Sequence, residues 1–80
     1  MLKYKSSDAQ KLIDLFSSIY EKNNDFSLIK DELIELCNYP VNVIEVFLSS
    51  IEFLKDKDEK YLKDNYQGII GIITLRMNLV

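Results

Sequence analysis

Few side chains in this 80-residue chain could carry chemistry. It contains one cysteine, Cys37, and no histidine. A cysteine or serine nucleophile needs a neighbouring base, most often histidine, to remove its proton, and the common zinc sites are also built from cysteine and histidine. The sequence therefore predicts neither a Ser–His or Cys–His catalytic site nor a zinc site, and we expect Cys37 to be a small buried apolar residue.

The acidic residues offer two incomplete patterns. Asp31 and Glu35 lie one helical turn apart, but a helical domain of this size rarely has the cleft that tunes such a pair for acid–base catalysis. Asp56 and Asp58 match the start of a calcium loop whose glycine and closing glutamate are missing from the required positions. The two glycines form no phosphate-binding loop. We therefore predict a protein that is not an enzyme and holds no metal or cofactor.

Length and composition indicate one domain over residues 1–80. Hydrophobic residues make up 48% of the chain, which is enough for a core, and charged residues make up 29%. Only 2 glycines and 1 proline are present, which argues against disorder and against a turn-rich β-sandwich. The N-terminus lacks the apolar segment of a signal peptide, and the longest apolar run, residues 68–75, is far below the roughly 18 residues that span a bilayer. We expect a cytoplasmic protein without membrane contact.

The spacing of apolar residues predicts the elements that must position any site. After an irregular lead-in over residues 1–6, Ser7 and Gln10 have the spacing of a capping box at the start of a helix over residues 8–22. Asn23 and the asparagine after it are typical of a helix end, because asparagine tolerates the left-handed conformation.

A second and a third helix follow at short intervals. Asp25 or Ser27 is expected to cap the second helix, over residues 28–37. The third helix, over residues 41–55, starts after Pro40, whose missing N–H costs nothing at a first helical position. Because its apolar residues extend well beyond one face, we expect this helix to be central, with neighbours on several sides.

Residues 60–79 fit two structures. As a helix they show a polar stripe made of Lys60, Lys63, Gln67, Gly71, Thr74 and Asn78. The opposite, apolar stripe is made of Leu62, Tyr66, Ile69, Ile70, Ile73 and Met77. As a strand, residues 73–79 alternate apolar and polar, but residues 60–65, the partner strand, show no alternation. We favour the helix, and the sequence then predicts an all-α fold: a compact small bundle of about four helices with helix 41–55 central.

The alternative is a three-helix, helix-turn-helix core with a C-terminal β-hairpin. With such a hairpin the order of elements would resemble the winged-helix family, on apolar spacing alone, and would imply a DNA-binding transcriptional regulator that acts as a dimer. The charges oppose this, because residues 23–54 carry six acidic residues and one basic residue. The expected reading helix carries Glu45 and Glu52 and no lysine or arginine before Lys55, whereas base edges are read mainly by basic and amide side chains.

The acidic middle of the chain instead favours contact with a basic protein. The formal net charge is -3, and complementary charge speeds association between proteins. We expect a small acidic protein-binding module, similar in type to inhibitors and toxin-immunity proteins that neutralise a basic partner. Nucleic acid is a disfavoured partner, a homodimer stays open, and a structural subunit of an assembly is a third interpretation. The predicted contact residues are Asp31, Glu32, Glu35, Glu45 and Glu52.

Overall fold

The computed structural model describes residues 3–80, and all regular structure in this range is helical. The helices are α1 (Ser6–Tyr20), α2 (Phe26–Leu36), α3 (Val41–Leu54), α4 (Glu59–Asp64) and α5 (Tyr66–Met77). The predicted all-α bundle is confirmed, and the β-hairpin of the alternative does not occur within the described range. The tail forms two helices that meet at Asn65, whose side-chain amide donates to the Tyr61 carbonyl (2.9 Å) and ends α4.

The four longer helices pack in a cycle. Both α1 and α3 contact α2 and α5, and the short α4 contacts α5. α2 and α5 therefore lie diagonally opposite each other. The smallest dimension of the molecule, 17 Å, corresponds to two layers of packed helices. Among the five helices, α3 supplies the largest set of buried side chains, as predicted for a central helix: Val43, Ile44, Phe47, Leu48 and Ser50.

The centre of the core is aromatic. Phe47 of α3 is fully buried, and its ring meets the edge of Phe16 of α1 at 6.2 Å between centroids. Phe16 in turn meets Phe26 of α2 at 5.5 Å, so three helices join at one ring. α3 thus contacts α1, α2 and α5, as expected for a central helix, but the side of α3 near its C-terminal end is open. Ile51 is partly buried, and Phe53 is 70% exposed.

The start of α1 differs from the predicted capping box. The helix begins at Ser6, and the Asp8 carboxylate accepts a hydrogen bond from the Lys5 N–H (2.8 Å), which satisfies a free donor at the helix start. The predicted pairing of Ser7 with Gln10 is therefore wrong, and the Gln10 amide donates to the Asp14 carboxylate instead (2.9 Å).

The helix ends also differ from prediction in detail. α1 ends at Tyr20. No residue in the described range has a positive φ, so neither of the two asparagines ends the helix in the left-handed conformation. The Asn23 side chain instead accepts from the Asp25 N–H (3.0 Å). Asp25 accepts from the Ser27 N–H (2.9 Å), so the expected cap of α2 is confirmed with Asp25 as the capping residue.

The expected irregular lead-in contains a core residue. Tyr4 is 7% exposed, and its backbone N–H and C=O both bond to the side-chain amide of Asn78, at 2.8 and 3.0 Å. This exchange ties the start of the chain to the end of α5. Residues 1 and 2 of the predicted lead-in lie outside the described residues.

The faces of α5 match the predicted stripes in part, since Ile70, Ile73 and Met77 of the apolar stripe are buried. Thr74, assigned to the polar stripe, is buried, and its hydroxyl donates to the Ile70 carbonyl (2.7 Å), so the helix backbone satisfies it inside the core. Ile72 and Leu75 face solvent and are 60% and 56% exposed. Thus α5 carries apolar side chains on its outer face as well as on its inner one.

Candidate protein-binding surface

The five predicted contact residues all lie on the outside of the bundle. Ile29 and Leu33 hold α2 against the core, and each is fully buried. Asp31, Glu32 and Glu35 point away from that side and are exposed. Because a helix turns 100° per residue, Asp31 and Glu35 lie within about 40° of each other on the helix surface. The structure therefore brings these three carboxylates together on one side of α2.

The two acidic residues of α3 are also exposed but are engaged by lysines. Lys30 of α2 lies 3.4 Å from the Glu45 carboxylate, and Lys55 lies 3.7 Å from Glu52, one turn earlier on α3. Both pairs are surface pairs that contribute little stability, yet they reduce the negative potential at these two positions. Among residues 3–80, the predicted set of five therefore divides into three carboxylates on α2 without an ion pair and two paired ones on α3.

Exposed leucines lie beside the unpaired carboxylates. Leu28 is 49% exposed and Leu36 is 61% exposed. From their helical angles, these two leucines and the three carboxylates occupy an arc of about 140° on α2. We call this set the α2 surface: Leu28, Asp31, Glu32, Glu35 and Leu36. The apolar spacing of the sequence places Leu36 on the buried stripe of this helix and Leu28 beside it, and the exposure of Leu36 shows that the first assignment is wrong.

A second exposed apolar region lies on the other side of the bundle. A groove of about 540 Å³ runs between α3 and α5, with Phe53 and Ile72 in its lining and Glu52 and Arg76 at its edge. Lys57 lies over the Phe53 ring, 5.5 Å from its centroid. The sequence analysis assigned no function to this region, although the run of isoleucine and leucine on both sides of α5 was visible in the sequence.

One part-buried hydrogen bond shifts the pKa of two side chains. The Tyr39 hydroxyl donates to the Asp8 carboxylate at 2.6 Å. Burial, followed by this bond to a carboxylate, raises the pKa of Tyr39 to about 12. The pKa of Asp8 is lowered, first by the Lys5 N–H and then by Tyr39. The pair joins α1 to the turn before α3, so we interpret it as a structural contact.

Groups suited to metal or nucleophilic chemistry are not assembled in the described residues. Across residues 3–80, no three histidine, cysteine, aspartate or glutamate side chains are close enough to hold a metal ion. Cys37 is buried, and its thiol donates to the Leu33 carbonyl (2.8 Å). Within the same range, no helix is both long enough and apolar enough to cross a bilayer.

Comparison with known proteins gives no independent assignment. No family model matches the sequence, no curated protein matches it, and no solved structure matches the fold. A functional assignment therefore rests on the residues and geometry described above.

Proposed function

We propose that this chain is a non-catalytic protein-binding module that binds a basic partner protein through the α2 surface. The observation that carries the proposal is the grouping of three exposed, unpaired carboxylates with two exposed leucines on one helix. Carboxylates attract a basic surface and speed encounter. Leucines gain free energy when contact removes them from water. The carboxylates would therefore speed association with the partner, and the leucines would slow its dissociation.

Glu45 and Glu52 have a secondary role in this proposal. The Lys30 ammonium at 3.4 Å already neutralises part of the Glu45 charge. A basic partner that contacts Glu45 must compete with Lys30, so Glu45 adds less to binding than Asp31 or Glu35. This ranking revises the equal weight that the sequence analysis gave to all five acidic residues.

The biological role we infer is neutralisation of the partner, in the manner of an inhibitor or immunity-type protein. An acidic helix laid on a basic surface covers the groups that the partner would use for phosphate or nucleic acid. The cytoplasmic location is part of the same proposal. The regulator alternative loses its main support, because α4 and α5 occupy the place of the β-hairpin and the outer face of α3 carries Glu45 and Glu52.

Charge reversal on α2 tests the proposal. The test variant is Glu32→Lys with Glu35→Lys, and the matched control is Glu21→Lys with Asp64→Lys. All four side chains are exposed, and both variants change the net charge equally. The control lysines lie at helix C-termini, where a positive charge is favourable. Equal circular dichroism spectra would show that both variants keep the fold.

The experiment immobilises each variant, captures binders from an extract of the native host, and measures association kinetics with the purified binder. We expect a basic protein on the wild type and on the control. The association rate of this basic protein should be about tenfold or more lower with the α2 variant than with the wild type. Raised salt should also lower the association rate with the wild type. Equal rates for the two variants would refute the α2 surface as the site. Tight, salt-sensitive binding of the wild type to duplex DNA would favour the regulator alternative instead.

A further inference from the structure

α4 lies on the bundle with little of its own surface covered. None of its 6 residues is buried, and among them only Leu62 is even partly buried. Its main contact with another helix is with α5. Isolated helices shorter than about 12–15 residues are marginal in water. α4 is therefore stable as a helix only while it is docked on the rest of the protein.

The hydrogen bonds of α4 are local. The Asp58 carboxylate accepts from the Tyr61 N–H (2.7 Å) at the start of the helix, and the Asn65 amide donates to the Tyr61 carbonyl at its end. Within residues 3–80, the side chains of residues 59–64 make no ion pair and no hydrogen bond to another helix. Undocking of α4 would therefore break no polar bond to the longer helices.

Lys57 links α4 to α3 through two aromatic rings. Its ammonium lies 5.5 Å from the centroid of the Phe53 ring on α3 and 5.4 Å from the centroid of the Tyr61 ring on α4. Both rings are exposed, and cation–π contacts at exposed sites are weak. This link favours the docked position of α4 without making it permanent.

α4 lies over apolar side chains that belong to the longer helices. Tyr61 lines the groove of about 540 Å³ between α3 and α5. The next residue, Leu62, lines a separate hollow of about 300 Å³ whose wall includes Phe16 of α1. Leu54 of α3 and Ile69 of α5 line both spaces. We call Leu54 and Ile69 the shared floor, because two consecutive residues of α4 lie over the two spaces that this pair connects.

Both ends of α4 have the features of hinges, which are usually a few residues in a loop or at the end of an element. Residues 55–58, before α4, are all exposed. Asn65, after α4, has φ −111° and ψ 13° and is also exposed. The Tyr66 hydroxyl donates to the Gln10 side chain of α1 (2.7 Å), which holds the start of α5 in place. The chain can therefore release α4 while α5 stays bound to α1.

We propose that α4 is a lid that undocks while the four longer helices stay folded, and that its undocking uncovers the shared floor. In the closed state α4 itself covers this apolar surface, through Tyr61 and Leu62. In the open state the groove and the hollow join, and a small apolar molecule can reach Leu54 and Ile69. Elements with few buried contacts open at a lower free energy than the whole domain. The lid is independent of the α2 surface, which lies on another helix.

Native-state hydrogen exchange on the wild-type protein tests the separate opening. The amides of Leu62 and Asn65 bond to carbonyls inside the segment. We expect them to be protected at least about 100-fold less than the amides of Phe47 and Leu48 in α3. Low urea should speed exchange at Phe47 and leave Leu62 unchanged, because local opening exposes little surface. Exchange of both helices at one common rate, with one urea dependence, would overturn the proposal.

A pair of serine variants tests whether α4 covers the shared floor. Leucine and lysine have similar helix propensities, so Leu62→Ser and Lys63→Ser weaken the α4 helix equally. Only Leu62 lies in the hollow, whereas Lys63 is exposed. We expect fluorescence of the dye ANS (anilinonaphthalene sulfonate), which binds exposed apolar surface, to rise about threefold or more for Leu62→Ser and to stay at the wild-type level for Lys63→Ser.

Equal near-ultraviolet circular dichroism spectra would show that the longer helices keep their packing in both variants. A rise in ANS fluorescence with an unchanged spectrum supports the lid. The same ANS fluorescence for Leu62→Ser and Lys63→Ser would show that α4 does not cover the shared floor and would overturn the proposal.

Discussion

Replacing Tyr39 by phenylalanine isolates one hydrogen bond that joins distant parts of the chain. The Tyr39 hydroxyl donates to one oxygen of the Asp8 carboxylate at 2.6 Å, across 31 positions of sequence. The other oxygen of Asp8 accepts from the Lys5 N–H at 2.8 Å. Phenylalanine keeps the edge contact with the Tyr4 ring, where the centroids lie 5.8 Å apart. The variant therefore removes the hydroxyl and leaves the packing in place.

The expected loss follows from the charge on Asp8. A hydrogen bond to a charged group contributes about 1.5–3 kcal/mol. Asp8 and Tyr39 are both partly exposed, so water replaces part of the lost bond in the variant. We expect Tyr39→Phe to lower the free energy of unfolding by about 1–2 kcal/mol at neutral pH. In a domain of this size, each kcal/mol lowers the melting temperature by about 4–8 °C.

The dependence on pH identifies the two partners. The pKa of Asp8 is below its ordinary value of 3.8 in the folded protein, so its contribution is present above that pH and is lost as the pH falls through the lowered pKa. The pKa of Tyr39 is raised from 10 to about 12, so its contribution is full below pH 10 and is lost as the pH rises toward 12. The difference in stability between wild type and Tyr39→Phe should therefore be largest between these limits.

Urea unfolding at acidic, neutral and alkaline pH measures this difference, with Tyr61→Phe as the control. Tyr61 is 41% exposed, and within residues 3–80 its hydroxyl makes no hydrogen bond to another side chain, so the control should match the wild type. Equal midpoints for Tyr39→Phe and Tyr61→Phe at neutral pH would refute the reasoning. A difference that stays constant as the pH falls through the lowered pKa of Asp8 would show that the carboxylate is not the partner.

Two further predictions concern stability. Phe47→Ala should lower the free energy of unfolding by about 3–5 kcal/mol because Phe47 is fully buried. Ile51→Ala should lower it less because Ile51 is only partly buried. A lower melting temperature for Ile51→Ala than for Phe47→Ala would contradict this. Asp25→Ala should lower the free energy of unfolding by about 1 kcal/mol because it removes the α2 cap. Asp25→Asn keeps a capping oxygen and should retain most of the stability. An alanine variant as stable as the wild type in urea would contradict the capping role.

Apolar spacing was sufficient to predict the three N-terminal helices. The fully buried residues of α2 and α3, such as Ile29, Leu33, Ile44 and Phe47, recur at three- and four-residue intervals that a strand could not bury on one face. The short turns between these helices carry capping or proline residues, so the boundaries were predicted within two residues or so. For α5 the predicted apolar stripe contains the buried residues Ile70, Ile73 and Met77, but the strand alternative stayed open because apolar residues also occur on the outer face.

Local capping and long-range polar contacts were beyond sequence reasoning for different reasons. At the start of α1, the sequence allows a cap that pairs Ser7 with Gln10 and a cap that pairs Lys5 with Asp8. The long-range hydrogen bond from Tyr39 to Asp8 favours the second one. The bonds between Tyr4 and Asn78 span 74 positions, and no local pattern indicates such a partner. The five acidic contact residues could be found from charge alone, but the pairing of Lys30 with Glu45 depends on the packing of α2 against α3.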